Sequence, residues 1–258
     1  MIDSHCHLDF DEFEGRRDEA VSEALSAGVH TIVNIGTDLK SSKNSVRLAE
    51  AHDCIYATVG VHPHDARKYN EETEAELTGL SDHRKVVAIG EIGLDYYRDL
   101  SPRDVQQSVF RNQLELAVEK RLAVVIHTRE GFRETVEIVR EYSRRLVGGV
   151  FHCFPGTVGD AYDVIDLGFE ISVGGVITFP KAKMAQVATE VPLKHILLET
   201  DSPYLAPVPF RGKSNQPAYV RFVRDKLAEL RGITADEVET ITDRNSRKLF
   251  RLVEVFEG

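Results

Sequence analysis

Short apolar runs rich in β-branched residues alternate along this chain with polar segments that have helical spacing. There are eight such apolar runs, and the first begins at Ile2. The other seven are Thr31–Ile35, Ile55–Val61, Val86–Ile92, Ala123–His127, Val147–Phe154, Phe169–Val176 and Ile196–Glu199. The helix-patterned segments between them include Glu14–Ala27, Ser41–His52, Arg103–Glu119, Gly131–Arg144 and Met184–Glu190. Near-continuous apolar strands separated by helices are typical of parallel strands that are buried on both faces.

The number of these units predicts the architecture. Eight strand–helix units within 258 residues favour an α/β fold of the TIM-type (β/α)8 barrel over an open doubly wound sheet. An early G-x-G-x-x-G fingerprint of a dinucleotide-binding fold is absent, which supports the barrel. No linker or low-complexity tract interrupts the chain, so we predict a single domain over residues 1–258. After Pro217 we expect two closing helices, one to about Arg231 and one capped by Thr234 with Glu237 three residues on.

Composition narrows the functional class. The formal net charge of −10 argues against a protein that coats nucleic acid non-specifically, although a local basic groove stays possible. Three cysteines without C-x-x-C spacing make a disulfide framework unexpected and favour a reducing, cytoplasmic location. A first strand that begins at Ile2 leaves no room for a signal peptide, and no apolar run has the length of a membrane helix.

The histidines divide into two groups on this barrel. Six lie at the predicted carboxyl ends of strands: His5, His7, His62, His64, His127 and His152. Four lie at strand starts, on the opposite face, and we assign them no chemistry: His30, His52, His83 and His195. Since barrel enzymes carry their active sites at the carboxyl-terminal mouth, the first group predicts a site there. Within it, His5 and His7 are two residues apart in a strand and therefore point to the same side.

Two acidic residues join the histidines at the predicted mouth. Glu91 ends the fourth strand and Asp201 ends the eighth, each after an apolar run. A buried carboxylate is costly unless it is paired or binds a metal. Four of the histidines together with two carboxylates are too many ligands for one tetrahedral zinc with an open position. They are suited to two metals about 3.5–4 Å apart, so the residues predict a binuclear metal hydrolase.

Sequence motifs then add a family resemblance that spans nearly the whole chain. The chain resembles the TatD-type metal-dependent deoxyribonucleases, a branch of the amidohydrolase and phosphotriesterase-like barrels. The matching motifs are DSHCHLD (Asp3–Asp9), GVHPH (Gly60–His64), GEIGLDYY (Gly90–Tyr97), IHTR (Ile126–Arg129), FHCFPG (Phe151–Gly156), LLETDSPYLAP (Leu197–Pro207) and RGKSNQP (Arg211–Pro217).

The resemblance implies which residues form the site. It implies two divalent ions per chain, Mg, Mn or Zn, held by His5, His7, Glu91, His127, His152 and Asp201. Glu91 is implied as the bridge, at the position where many binuclear amidohydrolases use a carboxylated lysine. We expect Glu91 and Asp201 to be catalytic, with Asp201 accepting the proton of the attacking water and passing it to the leaving oxygen.

The loops around the mouth indicate the substrate. The residues expected to contact it are His62, His64, Arg129, Arg211, Lys213 and Asn215. Phosphate is commonly held by the last two loops of such barrels, so a positive rim on an acidic protein favours DNA ends or another phosphate-bearing substrate. The leading interpretation is a deoxyribonuclease that uses metal-activated water to act as an exonuclease on single-stranded DNA ends, and two alternatives to it stay open. One is a small-molecule amidohydrolase or esterase, including aminoacyl ester deacylation. The other is a non-catalytic quality-control protein with a structural metal site. We infer no obligate protein partner.

Overall fold

A computed structural model describes residues 1–252. These residues form one sheet of eight parallel strands that follow one another in sequence order. The strands are β1 Ile2–Cys6, β2 Thr31–Asn34, β3 Ile55–Val59, β4 Val86–Asp95, β5 Ala123–Arg129, β6 Gly149–Phe151, β7 Glu170–Val173 and β8 Ile196–Leu198. Backbone contacts between the first and last strand ends close the sheet. The amide of His7 donates to the carbonyl of Ser202 at 2.8 Å, and the amide of Asp201 donates to that of His5 at 2.9 Å. The predicted TIM-type barrel is confirmed.

Helices cover the outside of the barrel, as the alternating pattern predicts. They are α1 Arg17–Ser26, α2 Leu39–Ala51, α3 Glu71–Leu80, α4 Arg103–Lys120, α5 Phe132–Tyr142, α6 Val158–Asp166, α7 Lys183–Glu190, α8 Val220–Arg231 and α9 Ala235–Phe250. Within residues 1–252, no helix has the length and apolar character that crossing a membrane requires.

Most strands differ from their predicted bounds by one or more residues, and the sixth and the fourth differ in ways that affect the mouth. The sixth is shorter than Val147–Phe154, because Cys153 adopts a left-handed backbone with φ of 42° that cannot continue a strand. The fourth runs past Ile92 to Asp95, where it continues to pair with β5. That extension needs glycine at position 93, since a Cβ there would lie 1.9 Å from the carbonyl oxygen of His127. The added residues bring Asp95 beside the functional mouth.

The two predicted closing helices are present as α8 and α9. Thr234 caps α9 in a reciprocal capping box with Glu237, as the spacing predicted. Helix α9 lies across the amino-terminal end of the barrel, where Asn245 donates to the carbonyl of Ile196 at the start of β8. The prediction of one domain over 1–258 falls partly on residues 253–258, which lie outside the described residues.

Candidate metal centre

Strand β1 and the residue directly after it supply two neighbouring imidazoles to the mouth of the barrel. His5 and His7 are both buried, and their Nε2 atoms lie 3.2 Å apart. Asp201, directly after β8, brings its Oδ1 to 3.6 Å from Nε2 of His5 and 3.5 Å from Nε2 of His7. The hydrogen bond from the amide of Asp201 to the carbonyl of His5 fixes this neighbourhood through the backbone. Three donor atoms from the two ends of the sheet therefore converge.

The two carboxylate oxygens of Glu91 face two different pairs of histidines. Its Oε2 lies 3.6 Å from Nε2 of His5 and 3.8 Å from Nε2 of His7. Its Oε1 lies 2.9 Å from Nδ1 of His127 and 2.8 Å from Nε2 of His152. The last two nitrogen atoms are 3.2 Å from each other. One oxygen of the Glu91 carboxylate therefore faces each pair of histidines.

Imidazoles surround the two carboxylates of this cluster. Among residues 1–252, the ion-pair partners of Glu91 and Asp201 are histidines alone, with no lysine or arginine. Burial raises the pKa of Glu91, but the neighbouring charge of His152 and the hydrogen bonds from His127 and His152 outweigh it and hold that pKa well below its usual range. Burial likewise opposes ionisation of Asp201, and the hydrogen bond with His7 lowers its pKa overall.

The donor set fits divalent metal ions. Buried ionised carboxylates are costly unless a cation compensates them. Imidazole nitrogens combined with carboxylate oxygens suit zinc, manganese and related ions. Among the described residues, the donor atoms that lie within reach of one another are histidine nitrogens and carboxylate oxygens, and the thiol of Cys6 instead donates to the carbonyl of Val33. The site can thus hold metal through nitrogen and oxygen ligands.

His62 lies in the same cluster with a different orientation. Its Nε2 is 3.5 Å from Oε1 of Glu91, close enough to be considered a ligand. Its Nδ1, however, accepts a hydrogen bond from the amide of His64 at 3.1 Å. Burial and the charge of His127 keep the pKa of His62 well below its usual range, so the ring is neutral. A neutral imidazole that accepts at Nδ1 carries its hydrogen at Nε2, which makes His62 a donor towards the site.

Two buried acids that the sequence analysis did not single out contact the centre. Oδ2 of Asp95 accepts from Nε2 of His127 at 3.1 Å and from Nε2 of His64 at 2.9 Å. Glu199 accepts a hydrogen bond from Ser172, and its Oε1 lies 3.8 Å from Nδ1 of His152. Both lie in motifs quoted above. The sequence signal that could have identified them is a charged residue at the end of an apolar strand.

Three of the predicted substrate-binding cations lie on aromatic rings at the exposed rim. The guanidinium of Arg129 lies 3.7 Å from the ring centre of Tyr97, and that of Arg211 lies 4.5 Å from that of Phe179. The ammonium of Lys213 is 5.9 Å from the ring centre of Phe210. In the described part of the chain, none of these cations forms an ion pair with a carboxylate. Their charge is available to a ligand.

The structure places Asn215 differently from its prediction as a substrate contact. The residue is 1% exposed, and its side-chain amide donates to the carbonyls of Thr200 and Tyr204, each at 2.7 Å. Its carbonyl oxygen accepts from the amide of Gln216. The prediction was wrong because an asparagine in a shaped loop satisfies the loop's own backbone as readily as it would a ligand.

The remaining histidines lie away from this centre. His30 pairs with Asp243 at 2.8 Å, and His195 pairs with Glu170 at 2.9 Å. Asp243 also lies near the amino group of Met1, which is paired with Glu239. The amino group of Met1 therefore already supplies a cation to the acidic cluster of Glu239 and Asp243. The division of the histidines by barrel face is therefore confirmed.

Comparisons with known proteins agree with this geometry. A family model described as TatD related DNase matches residues 2–251. The metal-dependent hydrolase YabD of Bacillus subtilis is 42% identical over 98% of this chain and 99% of its own length. The 3'-5' ssDNA/RNA exonuclease TatD of Edwardsiella piscicida is 35% identical over 98% of this chain and 100% of its own. The crystal structure of the TatD homologue YJJV from Escherichia coli superposes with a TM-score of 0.92 at 34% identity, covering 98% of each chain.

Proposed function

The chain belongs to the family of TatD-related DNases, and on that premise we propose that this metal-dependent hydrolase releases nucleotides from the ends of single-stranded DNA. The observation that supports the proposal most directly is the orientation of the Glu91 carboxylate, whose two oxygens face different pairs of histidines. One oxygen lies within 3.8 Å of the ring nitrogens of His5 and His7, and the other lies within 2.9 Å of those of His127 and His152.

Each half of the cluster would hold one divalent ion. His5, His7 and Asp201 with Oε2 of Glu91 form the first ligand set, and His127 and His152 with Oε1 of Glu91 form the second. Mg, Mn or Zn would suit these nitrogen and oxygen donors. When bound, the pair of ions would act as Lewis acids and lower the pKa of a shared water towards neutrality.

The side chains of the mouth would then handle protons and orientation. Asp201 is ionised and lies at the edge of the first ligand set, so it would accept the proton of the attacking water and pass it to the leaving oxygen. His62 would donate from Nε2 to an oxygen of the substrate phosphate, because its Nδ1 is already occupied. His64, bound to Asp95, would support the rim rather than the reaction.

The substrate would be bound by its phosphates. Arg129, Arg211 and Lys213 present cations without carboxylate partners on a protein whose formal net charge is −10. Guanidinium groups match phosphate oxygens in geometry as well as charge. Two relatives are named 3'-5' ssDNA/RNA exonuclease, and we extend that polarity to this chain.

The test is a screen of metals against substrates. Metal-free protein is reloaded with Mg²⁺, Mn²⁺ or Zn²⁺ and offered single-stranded DNA labelled at its 5' end, paired duplex, and an uncharged ester and amide. We expect stepwise shortening of the labelled single strand, and slower action on duplex. Glu91→Ala protein, purified in parallel, controls for contaminating nucleases and should be inactive. Intact DNA together with a cleaved ester or amide would refute the nuclease and leave a small-molecule hydrolase.

A further inference from the structure

Asp95 is a buried carboxylate whose orientation is set by its own loop. It is 1% exposed at the end of β4. Its Oδ1 accepts from the amide of Tyr97 at 3.0 Å and from that of Arg98 at 2.8 Å. The side chain of Gln106 accepts from the amide of Asp95 at 2.9 Å. The two hydrogen bonds to Oδ1 hold the carboxylate in one rotation, with Oδ2 turned to the mouth, and the contact with Gln106 holds the backbone of Asp95.

Oδ2 faces two imidazoles at once. Nε2 of His127 lies 3.1 Å from it and Nε2 of His64 lies 2.9 Å from it. An ionised carboxylate only accepts hydrogen bonds, so both Nε2 atoms must carry hydrogen. In His127 this leaves Nδ1 for an ion, and Nδ1 is the atom that lies 2.9 Å from Oε1 of Glu91.

We propose that Asp95 is a positioning residue that fixes the tautomer of His127 and thereby builds the half of the centre formed by His127, His152 and Oε1 of Glu91. The inference rests on the proposed two-ion centre. Asp95 contacts neither ion site directly and acts only through the imidazole of His127. Carboxylates that orient metal-binding histidines in this way commonly contribute to metal affinity.

The variant Asp95→Asn makes the proposal specific, because it changes hydrogen bonding while retaining shape. Its amide oxygen would stay at the amides of Tyr97 and Arg98, which are donors. Its NH₂ group would then face Nε2 of His127 and Nε2 of His64. Since an NH₂ group cannot accept, His127 would shift its hydrogen to Nδ1 and direct it into the ion site.

The experiment has two readouts that do not depend on turnover. Titration of Zn²⁺ into metal-free protein should show two equivalents in the parent. In Asp95→Asn one equivalent should bind unchanged while the other weakens about 10–100-fold. In addition, the nitrogen-15 shifts of the His127 ring, recorded on metal-free protein at alkaline pH, should show Nε2–H in the parent and Nδ1–H in the variant. Asp99→Asn is the matched control, because Asp99 is on the same loop and pairs with Arg103.

Either readout can overturn the proposal. Unchanged affinity for both equivalents in Asp95→Asn contradicts it, and so does a His127 ring that stays Nε2–H. If the variant fails to fold, the parent alone still decides, since an Nδ1–H tautomer in the parent refutes the role of Asp95. A parent that binds a single equivalent would refute the two-ion centre instead, while the ring shifts would still report on Asp95.

Discussion

We propose that Asp201 both binds an ion and accepts a proton, and a single substitution can separate these two roles. Its carboxylate lies 3.6 Å or less from His5 and His7, and its pKa is lowered by the hydrogen bond with His7 despite the opposing effect of burial. It therefore remains ionised and can both bind an ion and accept a proton. The amide of asparagine retains an oxygen ligand but is not basic at neutral pH.

We expect Asp201→Asn to abolish turnover while the protein still holds at least one ion. Loss of the proton acceptor should lower kcat by about 100-fold or more. Elemental analysis beside single-strand DNA hydrolysis makes the measurement, with the exposed residue variant Asp163→Asn as control. Near-parent activity in Asp201→Asn would show that another group accepts the proton.

The positions of some residues in this centre can be predicted from their neighbours in sequence, whereas the positions of others cannot. The pairing of His5 with His7 follows from strand periodicity, which is local. The role of Asp95 does not, because it depends on an extension of β4 that positions its Oδ2 between two histidines from other segments. Asn215 was misassigned because its residue type suits both a ligand contact and a backbone contact.

The loop after β8 is the element that carries most of the rim. Asn215 binds two carbonyls of this loop, at Thr200 and Tyr204, and so holds its two ends together. Arg211 lies against Phe179 from the preceding loop. The cations at 211 and 213 are therefore carried by an anchored segment rather than by a free one.

Replacing both Arg211 and Lys213 by alanine should raise KM for single-stranded DNA about tenfold or more, because hydrogen bonds to charged groups contribute ~1.5–3 kcal/mol each. Metal content should not change. The control is Arg244→Ala with Lys248→Ala, which removes the same charge from α9 at the other end of the barrel. An equal rise of KM in both pairs would indicate general charge rather than a phosphate site.

The capping box of α9 gives a prediction about stability that concerns a single helix. Thr234→Ala removes the acceptor for the amide of Glu237 and the donor to its carboxylate. The free energy of unfolding should fall by about 1 kcal/mol, measured by denaturant titration of the metal-loaded protein. Unchanged stability would show that tertiary contacts of α9 make the cap redundant.

Element types were predictable because their signals are local, whereas some element ends were not. The Thr-x-x-Glu spacing indicated the start of α9 correctly. The early end of β6 depends on the left-handed backbone at Cys153, a residue type that seldom adopts it. Only the packed mouth, where Cys153 follows His152, determines that conformation.

Across the whole molecule, closure of the barrel is what assembles the centre. The proposed first ligand set comes from the end of β1, from His7 directly after it and from Asp201 after β8, and backbone hydrogen bonds of 2.8 Å and 2.9 Å join these segments. Alternation of strands and helices predicted this closure from sequence. Distances within the mouth depend on how eight strands twist around one another, which no local pattern encodes.

An acidic molecule with a few cations at one rim should bind nucleic acid with weak salt dependence. Three phosphate contacts on a single strand correspond to a slope of about −2 for log affinity against log salt concentration. Oligonucleotide binding by Ca²⁺-loaded or otherwise inactive protein, measured across a salt series, gives this slope. A much steeper slope would indicate an extended basic groove and contradict binding by an end.

The central claim is that one chain holds two ions with Glu91 between them. The most direct measurement is anomalous scattering from crystals of protein fully reconstituted with Mn²⁺ or Zn²⁺, combined with elemental analysis of the same sample. We predict two peaks per chain about 3.5–4 Å apart, on either side of the Glu91 carboxylate. A single peak at these residues after full reconstitution would contradict the account.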